Sequence, residues 1–242
     1  METIKAFYQK HKAVIWFVPK SLILIVLWKP VLTVVAALVL SGLAYLLIAG
    51  PFKKYENPIR DVSVLKKGDI VLTGHTSVFA SLPIQVSNAL TRKLRHRFWT
   101  HAAVYKGDGK LIEAVPKGGI VVSDISDVLQ RGGLVRAFRH KYLKDEAVID
   151  ELLRKCEEKR GSSYGFLGLL FFVISSFVPV SFNFVFDNVI IDKWLRFENK
   201  YFCSELIVDS FDDIGHSISP FDGWRVKPTD FISNPLLEPV NP

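Results

Sequence analysis

Cysteine is almost absent: the 242 residues hold two, Cys156 and Cys203. Two thiols exclude a disulfide framework and the multi-cysteine zinc modules. No pair drawn from His75, His96, His101 and Cys203 has a familiar ligand spacing, so neither a metal nor an organic cofactor is expected. Repeats at a fixed period are also missing, which excludes solenoids and propellers. Charge is missing over residues 30–50, about the ~20 apolar residues a helix needs to cross the hydrocarbon core, so a transmembrane helix is expected there. It is nearly missing again over residues 164–191, where Phe166, Phe171, Phe172, Phe177, Phe182, Phe184 and Phe186 gather around Pro179. No cysteine follows Leu47-Ile48-Ala49-Gly50; Pro51 stands in its place, which excludes lipid anchoring through that box. The apolar region is longer than the ~7–15 residues of a secretory signal, so cleavage is not expected either.

What is present is basic and apolar together: net charge +7 with 49% hydrophobic residues. That combination suits an anionic membrane surface before it suits nucleic acid. A helix is expected over residues 82–98, with Val86, Leu90, Leu94 and Phe98 on one side and Arg92, Lys93, Arg95, His96 and Arg97 around them. No nucleic-acid module surrounds these charges, so no nucleic-acid partner is expected, whereas the lipid bilayer is. The chain divides into a membrane anchor over residues 1–54, a linker over 55–64 and a catalytic domain over 65–242 with an apolar insertion at 164–191. A second apolar run, 13–28, is interrupted by Pro19 and Lys20. Basic residues flank the apolar region on both sides. An even number of crossings keeps both flanks inside, and a single crossing puts one outside.

The stretch Tyr201-Phe202-Cys203-Ser204-Glu205-Leu206 places a cysteine between an extended aromatic run and a helix that Gly215 stops. At a helix N-terminus the macrodipole and the unpaired N–H groups favour a negative sulfur. A nucleophile placed there needs a base. Upstream, Thr100-His101-Ala102-Ala103-Val104-Tyr105 and Leu111-Ile112-Glu113-Ala114-Val115 flank a Gly-Asp-Gly turn and read as a hairpin. A three-residue loop, 106–108 or 107–109, puts His101 and Glu113 on one face; a two-residue loop puts them on opposite faces. Glycine at the left-handed position favours the three-residue loop. A histidine opening a strand, an acid facing it and a cysteine at a helix N-terminus are the three parts of a thiol nucleophile site. Alone, a strand histidine is ordinarily a satisfied core residue. A charged helix over 142–160, carrying Cys156 as a bystander thiol, and a strand over 134–138 complete the reading.

At these residues the chain resembles the permuted members of the NlpC/P60 papain-like superfamily, particularly the YaeF/YiiX-like group, and more distantly lecithin:retinol acyltransferase. The likeness rests on Lys67-Gly68-Asp69-Ile70-Val71, the His101 and Glu113 strands, the Cys203 stretch and a trailing Val226-Lys227-Pro228-Thr229-Asp230-Phe231. The order His, acid, Cys is that of the permuted group. The resemblance implies an α+β fold, a circularly permuted papain-like domain, with Cys203 as nucleophile, His101 as base and Glu113 as the orienting third residue. It further implies a peptide, cell-wall or lipid amide or ester as substrate, while the apolar run over 30–50, a departure from that group, places the chain at a membrane, expected to be a bacterial cell membrane. The expected function is that of a membrane-anchored cysteine hydrolase, an amidase or peptidase or an acyltransferase, working through a thioacyl intermediate. The alternative is a non-catalytic membrane protein that binds lipid or a protein partner in the same cleft.

Overall fold

Short β-prone runs become strands, and the pairing of six of them builds one sheet. β1 (Ile70–Gly74), β2 (Trp99–Gly107), β3 (Lys110–Val115), β4 (Gly119–Asp124), β5 (Leu134–His140) and β8 (Leu237–Pro239) lie in the order β4-β3-β2-β1-β5-β8. Every neighbouring pair in it is antiparallel. Between them stand α1 (Ile125–Gln130), α2 (Glu146–Glu158) and α3 (Cys203–Asp213), and a short parallel bridge joins β6 (Ser163–Tyr164) to β7 (Lys200–Tyr201). The computed structural model describes residues 40, 58–74, 96, 98–130, 133–165 and 200–241. The chain divides into two compact units, Met1–Leu47 and Ile48–Pro242, and these elements belong to the second. It is a mixed α/β unit with a mostly antiparallel sheet. The span expected over 30–50, the apolar run over 13–28 and most of the basic helix and of the apolar insertion lie outside the described residues. No helix among the described residues is long and apolar enough to cross a membrane.

Alternation divides the sheet residues between two cores. Ile70, Leu72, Ala102, Val104, Ile112 and Ala114 pack with Leu152 of α2 and Leu206, Ile207 and Phe211 of α3. Their intervening neighbours Val71, Ala103, Tyr105, Leu111, Val135 and Ala137 pack with Ile59, Leu65 and Ile125. A side-chain period of two lets a single strand serve both cores. The charged helix is shorter than expected, running from Glu146 to Glu158. Asp145 sets its start by accepting from the Ala147 N–H at 2.9 Å. Cys156, expected as a bystander on a polar helix, is fully buried.

The hairpin corrects the loop reading. Asp108 and Gly109, with φ of 50° and 72°, form a two-residue turn closed by the Gly107–Lys110 pair. The register slips between Tyr105 and Gly107, so Lys106 is an extra residue on β2. That bulge restores the parity a two-residue turn would have reversed. Ala103 faces Glu113, which puts His101 one diagonal step from the glutamate on the same face.

Candidate active site

His101 stands third in β2, opposite Thr73 of β1. The ladder slips again just beyond it, between Thr73 and Gly74, where Gly74 meets Trp99. A Cβ on Gly74 would lie 1.9 Å from the Phe98 carbonyl oxygen, so only glycine allows the two backbones to touch there. Such bulges raise local twist and re-aim side chains. Beside this corner the imidazole Nε2 meets Glu113 Oε2 at 2.5 Å. The other carboxylate oxygen, Oε1, accepts the hydroxyl of Ser123 on β4.

Cys203 is the first residue of α3, and the extended Phe202 precedes it. The Glu205 carboxylate reaches back to accept the Phe202 N–H at 3.3 Å, half of a capping box that holds the entry of the helix. Gly215, at φ 71°, ends it. The Cys203 sulfur lies close enough to the His101 imidazole to raise its pKa, and Glu113 holds Nε2. Burial works against a charge on His101 and is the largest influence. The Cys203 sulfur and then the Glu113 carboxylate outweigh it and push the imidazole up to about 10. Glu113 is held below the usual carboxylate range: burial opposes this, but the imidazole and the Ser123 hydroxyl prevail. A protonated imidazole beside a sulfur and bonded to a carboxylate is an arrangement that stores a proton next to a thiol.

The three residues expected to form the site therefore meet, although they come from β2, β3 and α3. Two neighbours were not anticipated. Ser123 could have been found from the alternation of Val121 and Ser123 once the β3–β4 register was known, since Glu113 pairs with Val121. Tyr164, the last residue of β6, is buried close enough that burial first and the Cys203 charge second hold its phenol protonated to higher pH. Tyr164 pairs with Tyr201, and the Gly165 N–H reaches the Tyr201 carbonyl at 3.0 Å. The chain thus leaves for, and returns from, residues 166–199 two positions before Cys203. No group of three or more His, Cys, Asp or Glu among the described residues could hold a metal ion.

No family model and no curated protein matches the chain. A solved structure described as metalloprotein yiiX from Escherichia coli O157:H7 is similar to it over 72% of this chain and 96% of that one, with 13% identity and a TM-score of 0.47.

Proposed function

We propose that the protein is a cysteine hydrolase or acyltransferase that cleaves an amide or ester through a thioacyl intermediate. One observation carries the reading: a single imidazole bonded to a buried carboxylate lies beside a cysteine at the first position of a helix. In this mechanism the Cys203 sulfur attacks the carbonyl carbon while the proton of the pair rests on His101. The carbon–nitrogen or carbon–oxygen bond then breaks, and the leaving group takes that proton from His101. Water attacks the thioester with His101 as base, releasing a carboxylic acid and restoring the thiol. If an alcohol or amine takes the place of water, the same step is acyl transfer. Glu113 stays ionised, orienting the ring and stabilising imidazolium. First-turn N–H groups have no acceptor within their own helix, so the backbone N–H of Cys203 serves as an oxyanion donor.

We further propose that the domain is a permuted papain-like one, held at a bacterial cell membrane by the apolar run over 30–50, and that its substrate is a peptide, cell-wall or lipid amide or ester. The motif order His101, Glu113, Cys203 supports the first part and the uncharged run supports the second. The test is intact mass after reaction with a thiol-directed activity probe, read beside a panel of fluorogenic esters and amides. One adduct on Cys203 and turnover that vanishes in Cys203→Ala are expected. Full turnover in that variant would overturn the reading.

A further inference from the structure

Glu113 has two oxygens, and His101 uses one. Rotation about the terminal carboxylate torsion is soft, so a single contact leaves the plane of the group free to swing. The second contact comes from β4. Ser123 stands opposite Leu111 and one diagonal step from Glu113, on the same face, and its hydroxyl donates to Oε1. Val121, directly opposite Glu113, offers no donor. Ser123 on β4, Glu113 on β3 and His101 on β2 thus form one chain of hydrogen bonds across three neighbouring strands, and the imidazole at its end lies beside Cys203 of α3.

We propose that Ser123 is a positioning residue: its hydroxyl keeps the Glu113 carboxylate turned so that Oε2 faces His101 Nε2, and through it fixes the imidazole that faces Cys203. The effect on chemistry rests on the nucleophile reading above; the effect on the imidazole does not. A hydroxyl suits the role because it has one proton to give and adds no charge. A lysine there would compete with His101 for the carboxylate.

The test compares Ser123→Thr with Ser123→Val in the full-length chain. The two introduced side chains have nearly the same shape, and only threonine keeps the hydroxyl. Two quantities are followed: the titration of the His101 ring, by NMR of nitrogen-labelled histidine, and the rate at which iodoacetamide labels Cys203 at neutral pH. Threonine should follow the native protein. Valine should move the His101 midpoint down and slow labelling by roughly tenfold, the scale of losing a hydrogen bond to a charged group. Equal titrations in the two variants would overturn the proposal. Should the Ser123→Val variant fail to fold, Ser123→Ala against the native chain makes the same comparison. If native Cys203 is not labelled at all, the nucleophile reading fails, while the His101 titration still decides the role of Ser123.

Discussion

Two histidines lie toward opposite ends of β1, and their surroundings shift them in opposite directions. His101, beside Thr73, is pushed up to about 10 by its sulfur and carboxylate neighbours against the cost of burial. His140, two residues past the Ile70–Phe138 pair, is lowered: burial is the main cause, and His216 and Lys144 add to it. Its Nδ1 accepts the N–H groups of Tyr142 at 3.3 Å and Leu143 at 3.0 Å, and its ring stacks on Phe211. A carboxylate is buried at this end too, but Asp69 is claimed twice by Arg139, at 2.7 Å from both Nε and Nη2, and by the Lys66 N–H at 2.8 Å. Each group there is satisfied by a partner that does not exchange protons near neutral pH. The difference teaches that burial of a histidine and an acid is not enough for chemistry. They must face each other, with one ring nitrogen left for a third group.

The comparison breaks first at the groups themselves. His101→Ala should lower turnover per folded molecule by about a thousandfold, the range of a lost general base. Arg139→Leu should act on stability instead. It strands the Asp69 carboxylate, which is 1% exposed, and should cost about 3 kcal/mol in urea unfolding, the lower end of the range for a broken buried pair because Arg139 is itself partly exposed. Turnover per folded molecule should stay near the native level. A thousandfold loss in Arg139→Leu would erase the distinction between the two ends.

Local chemistry made β1, β2, β3, β5 and the helix that begins at Cys203 legible, but not β4. Gly107-Asp108-Gly109 marked a tight turn, and Gly215 marked the end of α3. The position of the turn was not legible, because the Lys106 bulge depends on which register buries Tyr105 and Leu111 together, a question of packing between distant elements. β8 was missed for a similar reason. Leu237–Pro239 is three residues long and ends in proline, and it becomes a strand because Phe138 to His140 offers it an edge. At the site, His101, Glu113 and Cys203 could be read from residue type and order, but Ser123 is one serine among many until the β3–β4 register aligns it with Glu113.

The two thiols sharpen the same contrast. Burial pushes Cys156 up to about 11, against a hydrogen bond with Ser210. Cys203 has a histidine partner and a helix N-terminus, so iodoacetamide should label it at least tenfold faster than Cys156 at neutral pH, as peptide mapping would read. Equal rates would mean that neither environment selects a nucleophile. Glu113→Gln should then slow turnover by about tenfold, less than His101→Ala does, because the amide still accepts from the imidazole but no longer stabilises its charge.

The last contrast is in stability against pH, and its sign differs at the two ends. The folded state raises His101 above its ordinary 6.5, so the stability it contributes is complete below pH 6.5 and is lost as pH climbs toward about 10. His140 is lowered from 6.5, so its contribution is complete above pH 6.5 and is lost as the solution is acidified below that value. Protonating Nδ1 removes the acceptor for Tyr142 and Leu143 and adds a positive charge beside His216 and Lys144, at a cost of about 1 kcal/mol for the hydrogen bonds alone. Glu113, held low, loses its contribution only below its ordinary 4.5, a separate window. His140→Asn keeps an acceptor near Nδ1 and cannot titrate, so the unfolding free energy of that variant should stay level between pH 7 and pH 5, where the native chain declines. His101→Gln should flatten the alkaline side and leave the acid side unchanged. If His140→Asn declines on acidification as the native chain does, the acid-sensitive group lies elsewhere, and the two ends of the sheet do not divide the pH response between them.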